Sequence, residues 1–501
     1  MRLSSSPSEH QPSEHQPDDV PDRSGPGSPG TGRLFGGLFG AASVDAELTD
    51  RALLQALLDV ERALVEAAAE EGVVPASAAE AIGRACDARR YDPAALGRAA
   101  EAAGNPVIPL VNALTAAVPA DARPWVHIGA TSQDVLDTAL VLVVVRAEAV
   151  LRRDLDAAAD AAARLAEAHR DTVMVARTLG QQASPTTFGL KAAGWLAILL
   201  DAGARLTTAR RGLPVQLGGA AGTLAVFGPV GPAVADGMAD RLGLATTRLP
   251  WHTRRQPLLD LSAALGALLT GTGKIALDVG LLAQSEVAEV AEGGGPGRGG
   301  SSAMPHKRNP VDSILVTAAA RRGPHLVATM FSAAVQEHER AAGGWHAEWE
   351  PLLDLVRLAG GAVGRTRRML DGLLVRPDRM RANLAATGGL VLAEAVAARL
   401  AGGLGRGAAH EAVARAADAA RRAGSWLTFR DALLANPGVA AQLTEEELDR
   451  ALDPHRWLGS AGVFVDRALA WHHEWRTDAG PDHARPADEV GAADDQPREV
   501  M

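Results

Sequence analysis

The sequence contains a single cysteine, Cys86, among 501 residues. One thiol excludes an intrachain disulfide and a cysteine-based zinc site. Aromatic side chains make up only 3% of the chain and include one tyrosine, Tyr91, so aliphatic residues and alanine must supply most of the burial. Lysine is scarce as well: Lys191, Lys274 and Lys307 are three among 50 basic residues. Lysine is a compact, movable ammonium and arginine a planar fork, so the few retained lysines are enriched for places where the fork would not serve. Positive charge is not in excess, since 50 basic residues face 60 acidic ones for a formal charge of −10. That balance excludes a general nucleic-acid binder and leaves room for a small anionic substrate held by local cations. The chain also lacks an uninterrupted apolar run of the roughly 20 residues that cross a bilayer. The nearest candidate, Val135 to Leu151, is broken by Asp137 and Arg146, and the first residues, MRLSSSPSEHQPSEHQP, carry no apolar signal core. A cytoplasmic protein without a membrane partner is expected.

What is present is mostly helical pattern, between two low-complexity ends. Residues 1–33 and 477–501 are rich in proline, serine, glycine and acidic residues, which predicts disordered tails. His10 and His15 fall inside the repeat PSEHQPSEHQP and read as part of it rather than as a metal pair. Asp45 to Glu71 has helical spacing, with Leu53, Leu57, Val60 and Leu64 on one face. Leu136 to His169 is long, alanine rich and charged on one side. Leu258 to Glu292 repeats apolar residues every three or four positions, which predicts one helix of roughly 50 Å. Beside that stripe stand Gly266, Gly273 and Gly280, small enough to let a neighbouring helix approach closely. Further helices are predicted from Pro310 toward His338, kinked at Gly323–Pro324, and from Trp349 to Leu374. No alternation of period two lasts long enough to predict a substantial sheet. The expected class is all-α, and apolar residues on more than one helix face predict a homo-oligomer.

The densest chemistry lies in residues 293–310, GGGPGRGGSSAMPHKRNP, a glycine-rich stretch between two long helices. Composition alone suits a flexible linker, and the order of residues is not that of a Walker A loop. Yet Ser301, Ser302, His306, Lys307, Arg308 and Asn309 place many donors within nine positions. Donors at that density suit a carboxylate that must be held and charge-stabilised. The glycines would let such a loop open for entry and close over a substrate.

GSSAMPHKRNP at 300–310 resembles the signature of the fumarase/aspartase superfamily. HIGATSQD at 127–134, followed by Asp137 and Thr138, is similar to the first active-site segment of that superfamily, and RTLGQQASPTTFG at 177–189 to the second. The resemblance covers roughly residues 34–475. It implies an all-α, three-domain fold: an N-terminal helical domain at 34–123, a central helical bundle at 124–364 carrying the 293–310 loop, and a C-terminal helical domain at 365–476. It also implies a homotetramer with a twenty-helix core, active sites shared between subunits, and no cofactor or metal. GNPVIPLV at 104–111, WHT at 251–253, EHERAAGGWHAEW at 337–349 and WLGSAGVFVD at 457–466 resemble the bacterial 3-carboxy-cis,cis-muconate cycloisomerases of that superfamily. Those enzymes close a tricarboxylate diene into a lactone. Two positions depart from the pattern. Leu179 stands where the C–N and C–O lyases carry an acid–base histidine, and Gln182 where some cycloisomerases have one. Leu179 counts against the fumarate-releasing adenylosuccinate and argininosuccinate lyases, which remain alternatives together with a catalytically silent scaffold.

The resemblance assigns residue roles that the residues themselves leave open. Ser301 matches the proton-transfer serine, though a loop serine is ordinarily a turn former. Lys307 would stabilise the activated carboxylate. Asn309 would orient substrate or cap the helix that follows. Thr131 and Ser132 would bind a substrate carboxylate, with an N-cap as the plainer role. His127 is a candidate acid–base group or carboxylate ligand, against an ordinary structural histidine. Gln181, Ser302 and Met304 would contact substrate. Arg340 would bind a carboxylate, unless it pairs with Glu337 or Glu339. His252, His338 and His346 are further possible proton donors. No metal-binding triad has suitable spacing.

Overall fold

The computed structural model describes residues 33–293, 298–423 and 428–478. The two predicted tails lie outside the described residues, apart from helical residues at their inner edges, and so do His10 and His15. The first long helix, α1 (Asp50–Glu70), begins later than its apolar spacing predicts. Thr49 is extended and its hydroxyl accepts from Ala52 N at 3.1 Å, which ends a separate short helix, Ala42–Glu47, and starts the next. The helix α2 (Ser132–Ala168) runs 37 residues, roughly 55 Å, with no glycine or proline to interrupt it.

After α2 the chain forms a hairpin that the sequence reading passed over. Strands β1 (Val173–Thr178) and β2 (Gln181–Thr187) pair antiparallel from Val173–Thr187 to Thr178–Gln181. Their two-residue turn is Leu179–Gly180, with φ of 51° and 79°. Two successive positive φ values suit the right-handed strand twist of a hairpin, but for leucine that conformation is strained. The run VMVART was the available signal, too short to establish a period of two.

Helix α3 (Phe188–Arg211) follows directly. The helix α4 (Gln256–Leu282) is 27 residues long, so the predicted run to Glu292 is corrected at its C-terminal end. The chain turns at Ala288 (φ 51°), which frees β3 (Val290–Ala291) to pair with β4 (Leu374–Val375). Helices α5 (Val311–Ala333) and α6 (Gly344–Asp371) complete the bundle, and α7 (Ala461–Asp478) returns to pack on α2 and α3. Small residues do bring α4 and α5 together: a Cβ on Gly266 would lie 2.8 Å from Val327, and one on Gly323 2.7 Å from Leu269. Pro324 sits within α5 without ending it.

One large apolar cluster reaches from Val44 to Ala468 and contains the bundle and α1. A second, around Val396, Leu400, Val413, Phe429 and Leu448, lies in the C-terminal segment. A third joins Val175 of the hairpin to Leu384, Val391 and Leu392. By length and composition α4 would suffice to cross a membrane, yet it packs against α3, α5 and α6. Large apolar side chains nevertheless stand exposed along the bundle: Leu277 and Leu281 on α4, Ile314 and Phe331 on α5, and Val335 just beyond it.

Candidate active site

The N-terminal end of α2 gathers one set of candidate residues around a buried carboxylate, Asp134. Its oxygens accept from Thr131 N (3.0 Å), Gly218 N (3.0 Å) and Gly219 N (2.9 Å), and it pairs with His252 Nε2 at 2.6 Å. Asp134 thereby pins the 127–131 segment against the 216–220 strip, and His252 has a structural role rather than that of a free proton donor. Thr131 is the N-cap residue of α2, with Ser132 at its first turn, both half-buried. A helix start with exposed amides favours an anion, so the capping and binding roles are compatible here. Arg340 reaches the same strip. Its guanidinium donates to Gln133 Oε1 (3.2 Å), Ala220 O (3.1 Å) and Gly219 O (3.3 Å). All three partners are neutral, so the expected alternative of an ion pair with Glu337 or Glu339 is not formed, and Arg340 has no ion-pair partner among the described residues. Glu337 instead accepts from Ala342 N.

His127 completes this group. It adopts φ 58°, and its Nδ1 lies 2.6 Å from Glu61 Oε1 on α1. Burial alone would lower its pKa, but the charge and hydrogen bond of Glu61, with Asp134 nearby, leave it above the ordinary histidine value. The sequence reading missed Glu61, and it gave Asp134 no role beyond its place in the first segment. The signal was there for Glu61, a carboxylate within the apolar stripe of α1 between Leu57 and Leu64.

Beneath these residues lies a buried ionic staple. Arg255 is 1% exposed and donates to Asp137 (2.6 and 3.0 Å) and to Glu348 (2.6, 3.0 and 3.2 Å). Trp345 Nε1 also donates to Asp137 at 2.9 Å, and Arg255 lies over the Trp251 ring. Burial pushes the Glu348 carboxyl up, and Arg255 opposes that shift. The staple joins the starts of α2, α4 and α6, so it positions everything above it. Arg255→Leu leaves two buried carboxylates without their cation and should cost ~3 to 5 kcal/mol. The expected result is a lower urea midpoint with an unchanged slope.

The remaining candidates sit at the other end of the bundle. The neck of the glycine-rich loop is closed: Asn309 N and Nδ2 donate to Gly299 O at 2.8 and 3.3 Å, and Gly300 bridges Arg308. Gly299 has φ 69°, and a Cβ there would lie 2.5 Å from Asn309 O, so the neck requires glycine. Asn309 therefore fastens the loop and does not cap α5. That helix is capped by Glu292, whose oxygens accept from Asp312 N (3.1 Å) and Ser313 N (2.7 Å). Between the two sides of the neck the loop presents Ser302, Met304 and Lys307 exposed and Ser301 half-buried. Ser301 Oγ accepts from Ala303 N (3.3 Å) and Met304 N (3.2 Å). The serine is thus a turn former, as the plainer reading expects. The same two donors would also stabilise negative charge on its oxygen. Lys307 makes no ion pair among the described residues. The hairpin emerges at this end too. Arg177 holds Glu289 through two hydrogen bonds (2.9 and 2.8 Å), and at the exposed tip stand Leu179 and Gln181. Gln181 is in a strand and exposed.

Within one chain the two sets are far apart. Helices α2 and α6 run parallel, stapled by Asp137–Trp345 at one end and by Arg164–Asp371 (2.7 Å) at the other, about 40 Å along α2. Arg340, His127, Thr131 and Ser132 belong to the first end. The loop root, Gly293 against Gly372, belongs to the second. Single-chain geometry therefore brings His127, Thr131, Ser132 and Arg340 together. It places Ser301, Ser302, Met304, Lys307, Asn309 and Gln181 elsewhere. Among the described residues no group of three or more His, Cys, Asp or Glu side chains is placed to hold a metal ion.

A family described as Lyase matches residues 41–323. The chain belongs to the fumarase/aspartase lyase family. A second family description, adenylosuccinate lyase C-terminus, matches residues 389–468 of this lyase-family chain. It is 49% identical to a 3-carboxy-cis,cis-muconate cycloisomerase of Pseudomonas aeruginosa, over 88% of the chain and 96% of the relative. It is 47% identical to a nitrosuccinate lyase of Streptomyces davaonensis, over 88% and 94%. Among solved structures, the 3-carboxy-cis,cis-muconate lactonizing enzyme of Pseudomonas putida superposes with a TM-score of 0.82 at 43% identity, covering 89% of this chain and all of that one. This lyase-family member thus shares its all-α fold with enzymes that differ in the reaction their names give.

Proposed function

We propose that the protein is a 3-carboxy-cis,cis-muconate cycloisomerase, working as a homotetramer whose sites are built from the opposite ends of different subunits. The substrate is a tricarboxylate diene. A carboxylate oxygen adds to the conjugated double bond, and the displaced electron pair runs into the carboxylate conjugated with it. A proton then reaches carbon, and the product is an isomer with no atom gained or lost. Each residue set has a part in that chemistry. Arg340 and the α2 N-terminus bind substrate carboxylates, and Lys307 neutralises the carboxylate on which charge develops. Ser301 supplies the proton, its oxygen is held by the two backbone donors already directed at it, and a proton from solvent then restores the hydroxyl. Gln181, Ser302 and Met304 shape the closed site, and Asn309 holds the loop in register.

The observation that carries this reading is the likeness to cycloisomerases along nearly the whole chain, joined to an intact Ser301–Lys307 loop. Leu179 agrees with it, because an apolar tip cannot serve as the acid–base group of a C–N lyase. The nearly equal likeness to a nitrosuccinate lyase favours a second reading, elimination of nitrite from nitrosuccinate to leave fumarate. Both are tested on the purified protein. With 3-carboxy-cis,cis-muconate the diene absorbance should fall as lactone forms, and nitrosuccinate should yield no nitrite. Nitrite release with an inert diene would overturn the first reading in favour of the second.

A further inference from the structure

Glu61 lies outside the three active-site segments, on a helix that contributes no other candidate. Its carboxylate is 1% exposed, and one oxygen takes the 2.6 Å contact from His127 Nδ1. The other oxygen is also buried and has no hydrogen-bond partner among the described residues. A carboxylate accepts only, so the proton on the Nδ1 side of the ring is fixed and Nε2 is the nitrogen left to act. His127 holds this contact at φ 58°, a conformation disfavoured for histidine and kept only where the surroundings impose it. Gly129, at φ 65° and packed on Phe227, keeps the same segment in place. Charged and titratable neighbours of this pair are Asp134 with its partner His252, and Cys86 near Glu61.

We infer that Glu61 is a positioning residue for the reaction: it fixes the direction of the His127 ring and keeps that ring cationic, so that Nε2–H is offered to a substrate carboxylate beside Arg340. The inference rests on the proposed site containing His127. A buried carboxylate behind an imidazole orients it and stabilises its protonated form without touching substrate. The raised His127 pKa agrees with this arrangement.

The sign of the expected effect follows. Protonated His127 is the working form, so activity fades as pH rises through its pKa. Glu61→Gln keeps size and hydrogen bonding but removes the charge, so that pKa falls and the basic limb of kcat/KM moves to lower pH by about one unit or more. Glu61→Asp should shift it less, in the same direction. A merely structural Glu61 would lower stability and activity evenly while leaving the limb in place. The experiment measures kcat/KM from pH 5 to 10 for wild type, Glu61→Gln, Glu61→Asp and His127→Gln, and follows the His127 ring by NMR titration without substrate. The expected pattern is loss of the limb in His127→Gln and its graded displacement in the two Glu61 variants. If His127→Gln loses the limb but neither Glu61 variant moves it, the inference falls and the site stands. If His127→Gln keeps the limb, His127 is not the titrating group and the inference falls with that assignment. Should Glu61→Gln fail to fold, Glu61→Asp and its NMR titration decide alone.

Discussion

Ser301→Ala should lower kcat by roughly 10²- to 10⁴-fold, the usual worth of a positioned proton donor, with KM little changed. The loss arises from one oxygen. Among the described residues Ser301 Oγ is the side-chain group that Ala303 N and Met304 N address, and alanine leaves those donors without that acceptor. The fold should hardly notice. The loop is exposed at Ser302 and from Met304 to Lys307, and its neck is fastened separately by Asn309 on Gly299. Losing a local turn contact of this kind costs about 1 kcal/mol or less. Steady-state kinetics alongside a urea midpoint separate the two effects. Unchanged turnover would remove Ser301 from the chemistry, and a collapsed midpoint would assign it to the fold.

The long helices were legible because their apolar spacing is regular and their lengths leave no other reading. The break at Thr49 and the turn at Ala288 were not, because each rests on a local contact: a side-chain cap in one case, a short strand pairing in the other. The family segments were legible as motifs, yet motifs do not tell which groups support them. Asp137 was noted as a break in an apolar run and as part of the first segment, but not as one arm of the Arg255 staple. Glu61 went unremarked, although a carboxylate in an apolar stripe must find a partner or lose its charge. Arg340 shows the reverse case. Neighbouring glutamates in sequence suggested an ion pair, and the fold turned the guanidinium to three neutral acceptors instead. Several of the glycines expected to let the loop open lie outside the described residues, and among those described Gly299 makes a close approach to Asn309 at the neck.

Activity should return when two inactive variants are combined. The two ends lie about 40 Å apart along α2, and in the proposed oligomer each site draws its two ends from separate copies. The exposed Leu277, Leu281, Ile314, Phe331 and Val335 provide apolar surface on which copies of this bundle can pack. Arg340→Ala destroys one end and Ser301→Ala the other, and each variant alone is silent at every site. In a mixed oligomer each site draws either end, intact or damaged, with even odds when the variants are present equally. Roughly a quarter of the sites are then intact at both ends, as closed symmetric assembly requires. The measurement is to mix purified Arg340→Ala and Ser301→Ala proteins, dissociate and reassemble them, and assay turnover of the muconate diene. Recovery to about a quarter of wild-type activity is the predicted result for shared sites, and activity no greater than that of the separate variants would contradict it.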